Sequence, residues 1–321
     1  MSSETTTDST PAPAASVPWL GYLFAALGAA LFSSKAIFIK LAYLERADAA
    51  MMLALRMVMA LPFFVAVGLY ALYLHRRAGR PYPSPRLVAQ AALIGFIGYY
   101  IAAYLDFAGL VYITAQLERL VLFTYPVFVM FLGWLFFKGR ITMNGLIGAA
   151  ITYSGLAVIF SRGLSADGWT TFIGTVLVLG AALSFALYQL LAKNLIQALG
   201  STLFTAIAMS AAAIACVIHY LLVSHGTGPD VSWHYIGLVA GCALFATVLP
   251  AFLINAGLGR TSPQATSMIS TISPLITIFL AVIFLGEEFT FTDAIGTALI
   301  ILGVGFYAWS DARAVKAPTE S

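Results

Sequence analysis

Ten apolar runs, each long enough to cross a bilayer as a helix of about 20 residues, follow one another along this chain. They lie near 19–43, 49–74, 87–109, 114–137, 141–161, 170–194, 201–223, 233–258, 263–285 and 291–310. Few folds can absorb such a series. Charged residues are 9% and hydrophobic residues 61% of the 321 positions, so a soluble surface of the usual composition is out of reach. No alternating apolar–polar pattern of a barrel occurs, and backbone polar groups in lipid must be satisfied within the segment. The expected fold class is an all-α integral membrane protein with ten transmembrane helices.

Polar breaks separate the runs at "RRAGRPYPSPR" (76–86), "SRGLSADG" (161–168), "SHGTGPD" (224–230) and "GRTSP" (259–263). At "KGR" (138–140) and "GEE" (286–288) there is room only for a turn, so those neighbours form antiparallel hairpins. Residues 1–18 are rich in Ser, Thr and Pro and carry no Lys or Arg, which reads as a disordered tail rather than a secretory signal. Residues 311–321 read as a second, cytoplasmic tail. With the N-terminus inside, one side holds Arg76, Arg77, Arg80, Arg86, Lys138, Arg140, Lys193, Arg260, Arg313 and Lys316. The other holds Lys40, Arg46 and Arg162. The positive-inside rule then places both termini in the cytoplasm, with Glu287 and Glu288 outside.

An internal repeat organises the chain. At an offset of 148, "LDFAGL" (105–110) aligns with "LINAGL" (253–258), Gln116 with Gln264, Pro126 with Pro274, and "IGAA" (147–150) with "IGTA" (295–298). The halves open on "LGAAL" at 27–31 and 179–183, at an offset of 152. The expected units are 19–162 and 163–310. Five spans in each force the second to enter the membrane upside down, an inverted repeat of the transporter type with its substrate site near midplane.

The twin "AGL…P" segments at 108–126 and 256–274 resemble the EamA-type ten-helix branch of the drug/metabolite transporter superfamily, as does "LGEEFTFTDAIGTALIILGV" (285–304). The first half departs from that pattern, because "FKGRITMNGLIGAAITYSG" (137–155) has Lys138 and Arg140 where the second has acids. The resemblance covers about residues 20–310. It implies a secondary transporter of the bacterial inner membrane, often an exporter of amino acids or other metabolites. It also implies a central cavity lined by the first, third, fourth, sixth, eighth and ninth spans.

Five charges lie within spans: Lys35, Arg56, Asp106, Glu118 and Arg119. The hairpin between the third and fourth spans centres near Tyr112, so Asp106 and Glu118 share one depth. At about 1.5 Å per residue that depth is roughly 7–10 Å inside the outer edge. Their counterparts in the second half, Ile254 and Thr266, are uncharged. Intramembrane charges are functional candidates, and a zwitterion suits this set: Lys35 or Arg119 for a carboxylate, Asp106 or Glu118 for an ammonium or a proton. The same charges would serve an organic anion or cation. The bland alternative is an ion-pair clasp, such as Asp106 with Arg119, that locks the hairpin. Arg56 is expected to snorkel to the outer interface or to take part in a gate.

Tyr99, two turns deeper than Asp106, and Tyr188 are candidate pocket residues, with packing as the alternative. Asn255, Ser270 and Thr271 are candidate polar contacts from the second half. Pro126 and Pro274 are expected mid-helix, as hinges or fixed kinks. Gly148, Gly155, Gly296 and Gly303 are expected to pack the fifth span against the tenth, or to form a homodimer. Cys216 and Cys242 read as small buried residues. The expected partners are a small-molecule substrate and the lipid bilayer. No cofactor or metal is expected, because the four histidines are scattered and no GxxxxGK[ST], GxSxG, HExxH or CxxC occurs. Nucleotide binding and nucleic-acid binding are not expected either, nor is enzyme activity. Export of amino acids, aromatic or other apolar ones included, is the expected function. A multidrug or organic-cation exporter and a channel-like facilitator are the rivals.

Overall fold

The computed structural model describes residues 18–79, 81–137, 143–163, 168–224, 230–258 and 273–316. Every regular element among them is helical: α1 (Pro18–Ser33), α2 (Lys35–Tyr43), α3 (Ala49–Arg77), α4 (Pro85–Gly95), α5 (Ala102–Tyr112), α6 (Ala115–Leu122), α7 (Tyr125–Phe137), α8 (Met143–Gly163), α9 (Gly168–Leu199), α10 (Ser201–Val223), α11 (Trp233–Ala243), α12 (Leu249–Leu258), α13 (Ser273–Leu285) and α14 (Phe291–Lys316). Among the described residues, seven stretches are long and apolar enough to cross a membrane: Leu20–Tyr43, Ala49–Arg77, Pro85–Tyr112, Ala115–Phe136, Gly168–Ala192, Ser201–Val223 and Trp233–Ile254. Three shorter apolar helices, Met143–Ile159, Ser273–Leu285 and Phe291–Phe306, lie within the expected fifth, ninth and tenth spans.

The duplication extends to element boundaries. α4 and α11 begin at 85 and 233, 148 apart. A π-turn, in which the backbone bonds reach one residue further than in an α-helix, follows α4 at Phe96–Ile101 and α11 at Leu244–Val248. These also start 148 apart. Packing repeats with the halves exchanged: α1 lies on α12 as α9 lies on α5, while α3 meets α10 and α8 meets α14.

Two expected spans carry a short turn that interrupts the helix ladder without leaving the helical region of the backbone. Ser34 interrupts the first, where its hydroxyl donates to the Leu31 carbonyl at 2.6 Å, and α2 restarts at Lys35. Phe123 and Thr124 interrupt the fourth, where the Thr124 hydroxyl donates to Val121 at 2.7 Å. Pro126 is therefore the second residue of α7. In the first turn of a helix a missing N–H leaves no intrahelical bond unmade. Pro274 lies on α13, and the residues before Ser273 are outside the described residues.

The glycines expected to pack the fifth span on the tenth do so within one chain. A Cβ built at Gly155 would lie 2.7 Å from the Gly296 carbonyl oxygen and 2.9 Å from the Ile300 nitrogen. One at Gly303 would lie 2.6 Å from the Thr152 nitrogen and 2.7 Å from the Gly148 carbonyl oxygen. α8 and α14 approach backbone to backbone, which only residues without a side chain allow.

Candidate functional site

Lys35, the first residue of α2 after the turn at Ser34, faces the hairpin of α5 and α6. Its ammonium is ion-paired with Asp106 Oδ2 and with Glu118 Oε1, the latter at 3.3 Å. All three side chains are buried. Asp106 and Glu118 thus share a level, as their equal distance from Tyr112 requires, and one cation serves both. The second carboxylate oxygens, Asp106 Oδ1 and Glu118 Oε2, are buried with no hydrogen-bond partner among the described residues. Unpaired buried carboxylate oxygens are costly, and the two acids are close enough for a proton to bridge them, so the cluster has a place for a proton or a cation.

Arg119 does not form the expected clasp with Asp106. Its Nε donates to Thr277 Oγ1 of α13 at 3.1 Å, its Nη2 donates to the Phe32 carbonyl at 3.3 Å, and its guanidinium lies 5.2 Å from the Phe32 ring centroid. Lys35 takes the carboxylates instead. Thr277 in turn donates to the Ser33 carbonyl at 3.0 Å, and the Ser33 and Ser273 hydroxyls are 2.8 Å apart. Residues of the first, third, fourth and ninth expected spans therefore converge at one place. Thr277, Ser33, Ser273 and Phe32 escaped the sequence reading, because small hydroxyls and a backbone carbonyl carry no pattern in an apolar run.

Arg56 does not snorkel. It is buried, with its guanidinium 4.7 Å from the Phe107 ring centroid and Nη1 donating to Thr247 Oγ1 at 3.4 Å. It lies on α3, a helix 29 residues long, and both contacts are to other helices. Tyr99 and Tyr188 are brought to each other, with hydroxyls 3.0 Å apart and ring centroids 4.9 Å apart. Tyr188 also stacks on Phe185 and packs on Phe204. Neither tyrosine hydrogen-bonds to the charged cluster among the described residues. Asn255 lies on α12, but its side chain is outside the described residues, as is that of Pro126; Ser270 and Thr271 lie outside them altogether.

At the end of the molecule holding residues 44–48, 113–114, 230–232 and 286–290, carboxylates tie the turns together. Glu287 accepts from the backbone nitrogens of Ala115 at 2.7 Å and Gln116 at 3.2 Å, while Gln116 Nε2 donates to the Glu288 carbonyl at 3.4 Å. An acid at the first turn of α6 satisfies donors that the helix itself cannot. It is held there by a turn in which Gly286 has φ +63°. Glu45 accepts from Ser232 N at 3.0 Å and Ser232 Oγ at 2.7 Å, and those bonds hold its carboxyl below the usual carboxylate range. Glu287→Ala should lower stability by about 1–2 kcal/mol, the size of a lost cap. Glu287→Gln, which keeps an acceptor, should lose less. Thermal unfolding of the purified protein checks this, and equal losses in the two variants would remove the capping role.

The EamA-like transporter family matches this chain over residues 19–161 and 172–309. The uncharacterized transporter YcbK of Bacillus subtilis is 29% identical over 290 residues, covering 86% of this chain and 88% of its own. The uncharacterized transporter YwfM of the same organism is 28% identical over 186 residues, 56% of this chain and 59% of its own. A solved structure titled only "Crystal structure of protein" superposes with a TM-score of 0.60 at 18% identity. It covers 92% of this chain and 99% of that one, a likeness of fold alone. Two family segments, a helical fold whose boundaries recur at one offset, and a buried charged cluster in the first half that bonds to Thr277 of the second agree: this chain is a multi-pass membrane transporter and belongs to the EamA-like transporter family.

Proposed function

We propose that the protein exports small zwitterionic metabolites, amino acids first among them, across the cytoplasmic membrane by alternating access. In this reading ten spans form two inverted repeats with both termini in the cytoplasm. Lys35, Asp106, Glu118 and Arg119 form the core of the substrate site, and Tyr99, Tyr188, Asn255, Ser270 and Thr271 are its further candidates. The observation that carries the reading is the convergence of two buried carboxylates on one ammonium, each carboxylate retaining an oxygen with no partner among the described residues. A substrate ammonium fits those oxygens. A substrate carboxylate fits Lys35 or Arg119 once Lys35 is drawn off the acids. Such an exchange of partners loses little Coulomb energy, because both signs are present before and after binding. The end tied by Glu45 and Glu287 is the outer gate in this reading, and it must part when the site turns outward.

Counterflow in proteoliposomes across neutral amino acids, organic anions and organic cations tests the reading. Saturable exchange of amino acids, blocked by Asp106→Asn, is the expected result. The spare acceptor oxygens equally favour an organic cation, so exchange of cations alone would move the function to a cation exporter. Flux without stimulation by counter-substrate would mark a channel.

A further inference from the structure

Arg56 is a buried cation that the cluster does not neutralise. Lys35 and Arg119 act electrostatically on both Asp106 and Glu118, and the cluster has no acid left over for a third cation. Arg56 has no carboxylate within ion-pair distance among the described residues. Its Nε is buried with no acceptor there, and the contact of Nη1 with Thr247 is long at 3.4 Å, near the limit for such a bond. The Thr247 hydroxyl is itself committed as a donor to the Cys242 carbonyl at 3.1 Å, so it meets Arg56 only as an acceptor. A guanidinium carries five N–H donors in a fork shaped for an oxyanion. The Phe107 ring under it offsets part of the cost of burial, but a ring face accepts none of those donors in the plane of the fork.

Thr247 lies in the second π-turn, a local opening of the helix ladder that recurs at functional sites. Its repeat mate is Tyr99, 148 residues earlier in the first π-turn. Tyr99 there finds a neutral partner in Tyr188, whereas Thr247 finds a charge. The two copies therefore differ where one carries an unneutralised guanidinium. Cys242, on α11, lies within electrostatic reach of both Arg56 and Lys35, which joins this place to the charged cluster.

We propose that Arg56 and Thr247 at the π-turn of residues 244–248 form an anion subsite that takes a carboxylate or a halide. Assigning the carboxylate to the transported substrate rests on the reading of the Lys35 cluster as the substrate site; the binding of an anion does not.

The test is thermal unfolding of the full-length detergent-solubilised protein, followed by tryptophan fluorescence. Acetate, chloride or the bulky sulfonate of HEPES serves as sole anion at equal ionic strength. Wild type should be stabilised saturably by acetate, by chloride or by both, relative to HEPES. Arg56→Gln should lose that dependence, and Arg56→Lys should need at least tenfold more anion. Response to acetate alone assigns a carboxylate, and response to chloride alone a resident halide. The proposal is overturned if wild type shows no anion dependence, or if the dependence persists in Arg56→Gln. Should Arg56→Gln fail to fold, unchanged half-saturation in Arg56→Lys overturns it equally, since an ammonium lacks the fork. Because this readout needs no transport, an Arg56-dependent anion effect alongside absent amino-acid counterflow would sink the substrate reading and leave the subsite standing.

Discussion

Replacing Lys35 by Met abolishes exchange and destabilises the protein by about 3–5 kcal/mol, the usual consequence of breaking a buried pair from one side. Asp106 and Glu118 are then two buried anions facing each other with no ammonium between them. The decisive comparison is the triple variant Lys35→Met/Asp106→Asn/Glu118→Gln, which removes all three charges from one pocket. Its melting temperature returns toward the wild-type value, because replacing a whole buried ionic group is often neutral or better. Its counterflow stays absent if the cluster handles substrate. A triple variant exchanging at the wild-type rate would reduce the cluster to a fastener. The single and triple variants must be read together, since groups in one network do not add.

The second large effect is expected where α8 meets α14. Gly155→Leu or Gly303→Leu would force the two helices apart, because two of the three nearest atoms each new side chain meets are backbone and cannot rotate away. Overpacking of this kind typically costs about 1–3 kcal/mol, and more is expected where main chain must move. Gly237 on α11 and Gly305 on α14 supply controls, since a Cβ at either meets nothing within 4 Å. Gly237→Ala and Gly305→Ala should be neutral, or should gain up to about 1 kcal/mol from helix propensity. Thermal unfolding of all four variants checks the contrast. Equal losses at the four positions would mean that close approach is not what these glycines provide.

The repeat was legible in the sequence because proline, glycine and glutamine are sparse in apolar helices, so their coincidence at one offset carries weight. The same offset then recurs in helix starts that no side-chain pattern announces, such as 85 and 233. The common depth of Asp106 and Glu118 was legible as well, from a hairpin's symmetry about Tyr112. What joined them was not. Lys35 follows the turn at Ser34, whose hydroxyl bonds back to Leu31, and nothing in an apolar run marks one serine as such a turn. Arg56 misled for a related reason: hydropathy gives depth but not azimuth, so the reading could not tell an interface-seeking side chain from one lying over Phe107. A proline shows only where a ladder bond is missing, and it takes the neighbouring turn at Thr124 to show that a helix starts beside Pro126.

The two π-turns bear on how the buried charges are aimed. Each holds one residue more than an α-helical ladder would, and one residue is worth about 100° of rotation on a helix of 3.6 residues per turn. The insertion at 96–101 thus sets the angular phase of α5, and with it the bearing of Asp106; the insertion at 244–248 does the same for α12. Remove the extra residue, and α5 keeps its length and apolar character while Asp106 swings about a quarter turn away from Lys35. Hydropathy would register almost no change. The bearing of the buried charges is held by a phase angle carried in the backbone of the first half.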